Sequence, residues 1–384
     1  TIPHGSVANS PGGFVLMASD AYLALMGRAP KRIPHWEHLS NPDFEQLMTG
    51  IDPWEHPRIA RQKLLEQVKI DFGCGVPASD EPIPRPEDSQ KSAVPDAEGR
   101  LRVRWGAGTT THWDWGADFE TIEQVIAYEP LEHLDLREAQ VVENRDYSLS
   151  DEAFYAEYAK HYPSDGPAEG EVVQGLGFYN TLFMWPLLTF GWELFLELAG
   201  GPPEPLKRLL ADFAVINRKV FRAFARLPVN MVVCHDDICM ASGPVCSPAW
   251  LREHIYPYYE EFFGILHDGG KRVVFICDGN IDKVADEVAA CGADGFVSEP
   301  FTDWKAVARK HPHKLLAGEG DNRILMRNDP EEIARMVDSM VETAGMCGGY
   351  VMCVGNHIPW NIPPEAVRTY FELSRERAVR DGMA

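Results

Sequence analysis

From about residue 172 onward, short apolar runs alternate with longer amphipathic segments. The apolar runs predict buried strands at Val172–Gly177, Met231–Cys234, Arg272–Ile276, Gly295–Val297, Lys314–Ala317 and Tyr350–Val354. The amphipathic segments predict helices at Pro205–Ala225, Pro248–His267, Asp282–Ala290 and Pro330–Ala344. Such alternation favours a parallel sheet joined by helical crossovers. Six strands here, with one or two upstream, fit a (β/α)8 TIM barrel better than an open sheet.

The first 170 residues carry additions to that barrel. Residues 1–30 are interpreted as an N-terminal arm, and residues 76–116 as an inserted loop and β-hairpin. Alternating runs at Leu101–Trp105 and Thr109–Trp115 flank a glycine-rich turn, which is typical of a hairpin. We therefore expect a single barrel domain that spans residues 1–384.

Charge and composition narrow the classes of partner. Lys and Arg number 36 and Asp and Glu number 58, so the formal net charge is −22, which disfavours binding to nucleic acid or to an anionic membrane. Neither an apolar run of about 18 residues nor a signal peptide at Thr1–Asp20 is evident. The 8 cysteines are scattered through apolar runs, unlike a disulfide framework. These features favour a cytoplasmic location.

Polar side chains follow successive strands of the predicted barrel. The carboxyl ends of the strands in such a barrel meet at one face, where active sites form. The five polar segments are 235–237, 277–280, 298–300, 318–321 and 353–357. Asp and Asn at these positions could instead cap helices, but capping does not require Cys, Glu or His. The combination therefore predicts a shared site.

Several of these side chains are candidate metal ligands. The candidates are Cys277, Asp278, Glu299, Cys353 and His357. Zinc accepts mixed nitrogen, oxygen and sulfur donors, and catalytic sites keep one position open. We expect Glu299 and His357 to bind a metal with one of Cys277, Asp278 or Cys353. Alternatively, the cysteines are buried core residues and His357 caps a helix or binds substrate.

Two other sets complete the candidate site. Asp236 and Asp237 follow an apolar strand and, with His357, are the catalytic candidates, because a buried carboxyl can act as a general acid. The alternative is that the two aspartates cap the helix near Ser247, with His235 a packed neighbour. The candidate substrate-binding residues are Trp36, Phe178, Tyr179, Asn180 and Asn356. A plain core helix is the alternative for the aromatic run after residue 177.

Residues 230–370 resemble the uroporphyrinogen decarboxylase superfamily. The resemblance is carried by HDD at 235–237, SP at 247–248, IYP at 255–257, VFICDGNI at 274–281, CGADGFVSE at 291–299 and GGYVMCVGNHIPWNIP at 348–363. It implies the barrel fold and two branches of activity, namely porphyrinogen decarboxylation and corrinoid-linked methyl transfer.

Two differences from the superfamily patterns distinguish between these branches of activity. The decarboxylases hold substrate carboxylates with an Arg-rich N-terminal segment, which here reads IPHWEH at 33–38, so we predict no turnover of uroporphyrinogen. The thiol-methylating enzymes use His-x-Cys and a late Cys, but here the His is absent at 275–277 or 276–278 and the late position falls at Asn356.

The resemblance therefore implies an O-demethylase-type methyltransferase. It would move a methyl group from a small methylated substrate, such as an aromatic methyl ether, to the corrinoid of a partner protein, with zinc as cofactor. The alternatives are a decarboxylase or lyase of an unidentified small substrate, with Asp237 handling the proton, and a metal-free binding protein. A homodimer is left open.

Overall fold

The structure, a computed structural model, places parallel strands at the centre of the chain and helices around them. It describes residues 18–72, 75–83, 85, 94–95, 101–105, 109–112, 118–137, 143–162, 166–168, 170–172 and 176–379. The strands in chain order are β1 Val94–Pro95, β2 Leu101–Trp105, β3 Thr109–His112, β4 Gly177–Phe178, β5 Met231–His235, β6 Cys239–Met240, β7 Gly243–Pro244, β8 Arg272–Ile276, β9 Gly295–Val297, β10 Leu315–Ala317 and β11 Gly349–Tyr350.

The helices flank these strands. In chain order they are α1 Asp20–Leu25, α2 Pro42–Thr49, α3 Pro57–Gln67, α4 Ile122–Ala127, α5 Asp151–Ala159, α6 Met184–Gly200, α7 Pro203–Arg226, α8 Pro248–His254, α9 Tyr256–Asp268, α10 Ala285–Ala290, α11 Trp304–Lys310, α12 Asn322–Arg327, α13 Pro330–Ala344 and α14 Pro364–Arg377, with a short 3-10 helix at Pro130–Glu132.

The parallel strands curve toward a closed barrel. Strands β4, β5, β8, β9, β10 and β11 pair in that order, each parallel to the next. Beyond β11 the pairing continues through parallel bridges from Met352 to His35 and from Trp36 to Phe72. The segment at 32–36 thus takes the place of the first barrel strand, next to the last. The (β/α)8 fold predicted from the alternation is confirmed.

The strands divide their side chains between two apolar cores. Within β5, Met231 and Val233 face the barrel interior, whereas Val232 and Cys234 pack against the surrounding helices. This is the two-residue period of an extended chain. Helix α1 packs its buried Ala24 against the amino-terminal ends of the last strands, so it closes that end of the barrel. The opposite, carboxyl end remains as the mouth.

Some element boundaries differ from the sequence prediction. The long helix expected over Pro248–His267 is interrupted at Ile255, where α8 ends and α9 begins. Pro257 causes this break, because proline has no N–H to donate and its ring collides with the preceding turn. The predicted hairpin is confirmed for β2 and β3, and its second strand ends at His112. Residues 113–117 lie outside the described residues, as does the start of the N-terminal arm.

Among the described residues, no helix combines the length and the apolar character that crossing a bilayer needs.

Candidate active site at the carboxyl end of the barrel

The end of β5 places two polar side chains on the interior face of the barrel. His235 continues the inward-facing row of Met231 and Val233, and Asp237 follows two residues later. The His235 Nε2 and Asp237 Oδ1 atoms are 2.9 Å apart, and the two side chains are only 18% and 16% exposed. A buried imidazole–carboxylate pair therefore lies at the mouth.

The neighbouring strand β8 adds a second carboxylate. Ile276 faces the interior, and two residues later Asp278 does the same, with its backbone N–H donating to Asp237 Oδ1 at 2.9 Å. Ligand atoms of His235, Asp237 and Asp278 all lie within 4.8 Å of one another. We call these three residues the mouth triad. Among the described residues, these three are the ones whose metal-ligating atoms lie close enough together to hold one ion.

Glu299 and Asn356 extend this cluster across the mouth. Glu299 Oε2 accepts a hydrogen bond from the backbone N–H of Gly279 at 2.8 Å. The Asn356 side-chain nitrogen lies 3.4 Å from Asp278 Oδ2 and 3.4 Å from Glu299 Oε1. The strand ends of β8 and β9 and the segment after β11 thus contribute to one polar network.

A glycine permits the close approach of these loops. Gly279 has a φ of +89°, and a Cβ atom there would lie 2.4 Å from the carbonyl carbon of Met240. No other residue type fits both conditions. The glycine therefore lets the loop after β8 pack beneath β6 while its N–H reaches Glu299.

Burial and neighbouring charges set the protonation of the mouth triad. Burial raises the pKa of Asp278 to about 7, and the nearby charge of Asp237 adds to this effect. Burial alone would raise the pKa of Asp237, but the charge and hydrogen bond of His235 outweigh it and lower that pKa. Burial alone would lower the pKa of His235, and Asp237 reverses this. His235 and Asp237 thus favour each other's charged forms, and burial makes Asp278 harder to ionise.

Tyr179 forms a wall beside the mouth triad. Its ring centroid is 4.1 Å from that of His235, and its backbone N–H donates to Glu143 Oε1 at 3.0 Å. Burial raises the pKa of Tyr179, so the phenol stays neutral. Of the aromatic run predicted to bind substrate, this residue is the one that the structure places against the triad.

Asp236 points away from the mouth. Its carboxylate accepts hydrogen bonds from the backbone N–H groups of Leu182, Phe183 and Met184 at 2.7–2.8 Å and from the Tyr259 hydroxyl at 2.6 Å. It is fully buried, and it anchors the start of α6 to the end of β5. Asp236, which the sequence predicted to be catalytic, therefore holds α6 and Tyr259 in place and does not face the mouth.

The two cysteines proposed as ligands are directed elsewhere. Cys277 follows the outward row of Phe275 and lies beside Cys239 between the strands and the helices. Cys353 faces the barrel interior but packs within the apolar core there. Burial raises the pKa of both thiols, which disfavours the thiolate that a metal binds. The structure brings neither sulfur into the mouth triad.

The other predicted site residues occupy varied places. Trp36 stacks on Phe72 within the barrel interior, with centroids 5.4 Å apart. Phe178 packs in the outer core against the surrounding helices, and Asn180 is fully buried. His357 lies outside the mouth triad, with its ring centroid 5.7 Å from that of His38.

His235 was missed as a ligand candidate in the sequence. The available signal was its spacing from Asp237, because residues two apart on a strand share a face. Glu143 offered no such signal, since its contact with Tyr179 joins positions 36 residues apart across a loop.

The chain is similar to a known protein family in sequence and to a solved structure in fold. Residues 189–377 match the family described as Uroporphyrinogen decarboxylase (URO-D). A methyltransferase from Methanosarcina mazei is similar in structure, with a TM-score of 0.57 and 15% identity over 92% of this chain and 97% of that chain. At this identity the similarity shows the fold.

A second solved structure is far less similar. D-psicose 3-epimerase with D-tagatose, from Clostridium cellulolyticum H10, gives a TM-score of 0.27 and 12% identity over 47% of this chain and 71% of that chain. So low a score supports no argument. No curated protein matches the chain.

Proposed function

Residues 189–377 belong to the uroporphyrinogen decarboxylase family, as the sequence resemblance predicted, and from this membership we propose that the protein is a corrinoid-dependent methyltransferase. Its donor substrate is a small methylated compound, such as an aromatic methyl ether. The acceptor is the cobalt(I) corrinoid of a partner protein. The bond between the substrate heteroatom and the methyl carbon breaks, the cobalt supplies the electron pair of the new bond to carbon, and the heteroatom leaves with the original pair.

The mouth triad is the observation that supports this proposal. A departing alkoxide or phenoxide needs a cation or a proton near the breaking bond. His235, Asp237 and Asp278 form a compact donor set at the barrel mouth, where enzymes of this fold hold their active sites. Residues 33–38, where the decarboxylases would neutralise substrate carboxylates, include no Arg, and the preceding Arg32 is paired with Asp71. The mouth therefore suits cation binding better than the binding of a polyanion.

The donor chemistry of the triad fits a divalent metal. Imidazole and carboxylate are ordinary zinc ligands, and in the described part of the chain no Lys or Arg forms an ion pair with Asp237 or Asp278. Burial opposes the ionisation of Asp278, and a bound cation would offset that cost. With both sulfurs directed elsewhere, the set is richer in oxygen than the sequence suggested. A bound divalent ion would act as a Lewis acid toward the leaving heteroatom.

The surrounding residues have supporting roles in this proposal. The His235–Asp237 contact fixes the imidazole, and Tyr179 covers one side of that ring and excludes water from it. Glu299 holds the loop that carries Asp278 through its contact with Gly279. The chain thus orients the donors and shields the reacting heteroatom.

The first experiment tests methyl transfer directly. Purified protein is mixed with a reduced corrinoid and a panel of methyl ethers, and the absorbance of the methylated corrinoid is followed together with the demethylated product. We expect turnover with at least one ether, and a loss of about 100-fold or more in Asp237→Asn. Asp268→Asn is the matched control, because that aspartate is exposed at the end of α9. Equal activity of both variants would contradict the role of Asp237.

The second experiment tests the metal. Elemental analysis of the purified protein should find about one divalent ion per chain, and Asp237→Asn and His235→Gln should each lose it. Full zinc occupancy in either variant would rule that ligand out. An active wild-type enzyme without metal would reject the Lewis-acid part of the proposal.

The family match favours a second candidate function. A decarboxylase or lyase of an unidentified small substrate would use the same mouth, with Asp237 as the proton handler. Release of carbon dioxide without a corrinoid would identify this activity. Methylation of the corrinoid without carbon dioxide would reject it.

A further inference from the structure

Asn356 lies between two carboxylates and a histidine at the barrel mouth. Its side-chain nitrogen is 3.4 Å from Asp278 Oδ2 and 3.4 Å from Glu299 Oε1. Its side-chain oxygen accepts the backbone N–H of His357 at 2.8 Å and lies 3.1 Å from Nδ1 of the same residue. The amide thus has distinct partners on its two sides.

These partners determine which way the amide points. The backbone N–H of His357 can only donate a hydrogen bond, so the oxygen of the Asn356 amide must face that residue. The NH2 group then faces the acceptor oxygens of Asp278 and Glu299. The reverse orientation would place the amide oxygen against two carboxylates. These hydrogen bonds therefore determine which side-chain atom of Asn356 is the oxygen and which is the nitrogen.

The fixed amide in turn sets the tautomer of His357. The Asn356 oxygen has no proton, so a hydrogen bond to it requires the proton on His357 Nδ1. Nε2 then carries the lone pair of the neutral ring. Free histidine prefers the opposite tautomer, with the proton on Nε2, so the protein holds this ring in its less favoured form.

The backbone on both sides of Asn356 is also held firmly. A Cβ atom at Gly355 would lie 2.6 Å from the carbonyl oxygen of Gly318 and 2.7 Å from the Cα atom of Glu299. On the other side, the Asn322 side chain donates to the carbonyl of His357 at 2.9 Å. The side chain therefore projects from a well-defined backbone, as a positioning group requires.

We propose that Asn356 is a positioning residue that holds the Asp278 and Glu299 carboxylates in place and fixes His357 as its Nδ1–H tautomer. The inference rests on the proposed function, because Asp278 belongs to the mouth triad. It gives Asn356 a role toward protein groups, which differs from the substrate-binding role expected from the sequence.

Nitrogen NMR of the metal-free protein tests the tautomer. The protein is labelled with 15N-histidine, and the His357 signals are assigned by their loss in His357→Gln. We expect the wild-type ring to show a protonated Nδ1 and a bare Nε2. In Asn356→Leu the ring should shift toward the Nε2–H form, whereas Asn230→Leu, which removes an amide at the amino end of β5, should retain the wild-type tautomer. An Nε2–H ring in the wild type would overturn the proposal.

Zinc binding tests the carboxylate side of the same amide. Titration with Zn²⁺ against a chromophoric chelator should show affinity about 10–100-fold weaker in Asn356→Leu, as for other residues that orient metal ligands. Asn230→Leu is the matched control, because it removes an amide that donates to the Glu171 carbonyl at the amino end of β5, away from the mouth. Unchanged zinc affinity in Asn356→Leu, or an equal loss in Asn230→Leu, would reject this part.

The two readouts separate this inference from the proposed function. The tautomer is measured without metal, substrate or corrinoid, so it stands or falls alone. If no methyl group is transferred but His357 responds to Asn356 as expected, the proposed activity fails and the positioning role holds. If methyl transfer is found and the wild-type ring carries Nε2–H, the reverse applies.

Discussion

Adjacent residues after β5 have opposite roles because an extended chain alternates its faces. His235 and Asp237 point into the mouth, and Asp236 between them points into the helix layer. The sequence predicted a polar strand end but could not assign its faces, since the apolar run before it is hydrophobic on both sides. In the structure, Met231 and every second residue after it face the barrel interior. This assignment follows from which of the two cores each side chain joins, and the sequence does not contain it, because both faces of the strand are buried.

Replacement of the two aspartates should separate stability from chemistry. Asp236→Ala leaves three backbone N–H groups and the Tyr259 hydroxyl without their acceptor, and should lower the free energy of unfolding by about 3–5 kcal/mol. Asp237→Ala removes the acceptor of one backbone N–H and the partner of His235, and should cost less, about 1–2 kcal/mol, while it abolishes metal binding. Urea unfolding and elemental analysis give the two readouts. Equal destabilisation by both substitutions would contradict this division.

His357 should make stability depend on pH in the acid range. Burial and the neighbouring His38 lower the pKa of His357 from 6.5 to about 4. Between these values the native protein binds fewer protons than the unfolded chain, so stability is complete above pH 6.5 and is lost as the pH falls through 4. The loss is at most about 3 kcal/mol.

Comparison with His357→Gln isolates that contribution. Urea unfolding of both proteins is measured from pH 7 to pH 4, and the wild type should lose more stability than the variant over this range. Parallel stability curves would show that His357 does not titrate as its burial implies.

At the scale of elements, the glycines after the strands decide which loop residues reach the mouth. Gly318 has a φ of +111° and interrupts the alternation of β10. As a result Glu319 turns to the helix layer, where it accepts hydrogen bonds from Ser339 at 2.9 Å and Tyr350 at 2.8 Å. The sequence placed Glu319 among the polar residues that follow the strands. The alternation of faces along a strand does not show that Gly318 reverses the direction in which the next side chain points.

Two alanine substitutions should show how tightly this reversal is packed. In Gly318→Ala the new Cβ would lie 1.8 Å from the Ser298 carbonyl oxygen, and the loss of stability should exceed about 4 kcal/mol. Gly243 is the matched control, because its φ is +116° and nothing lies within 4 Å of its Cβ position. Gly243→Ala should cost only the backbone strain, about 1–3 kcal/mol. Similar costs at both positions, measured by chemical unfolding, would refute the packing argument.

The elements themselves were predictable to differing degrees. The buried strands β8 and β9 have the predicted bounds, and so does helix α13, because their apolar patterns are short and well separated. The last strand is shorter than predicted, at Gly349–Tyr350, and the chain then pairs with His35 through Met352. That contact joins the two ends of the chain, and local periodicity carries no information about it.

At the scale of the whole molecule, the order of the barrel strands follows from the sequence, whereas the membership of the mouth triad does not. Alternating strands and helices permit few arrangements, since parallel crossovers are right-handed. The triad instead depends on how neighbouring strands are staggered and on which loops reverse direction. Asp278 alone among the predicted metal ligands lies in the triad, and its partners His235 and Asp237 come from a strand end assigned other roles.

The charge of the molecule leads to a prediction about its substrates. The formal net charge is −22, so the electrostatic potential around the molecule is negative. An anionic substrate is repelled as it approaches the mouth, whereas a neutral one is not. With a pair of methyl ethers that differ only in one carboxylate, kcat/KM should be lower for the anion by about 10-fold or more at low salt.

Salt and a polyanionic substrate provide the tests of that prediction. Raising the ionic strength screens the long-range field, so the difference between the two ethers should narrow, while the neutral ether is nearly unaffected. A polycarboxylate such as uroporphyrinogen is the extreme case, and the segment 33–38 offers Trp36 and His38 where it would need Arg. We therefore expect no coproporphyrinogen in an assay with enzyme alone. Its appearance, or an anionic ether turned over faster than its neutral partner at low salt, would show that a cationic surface outside the mouth triad controls substrate choice.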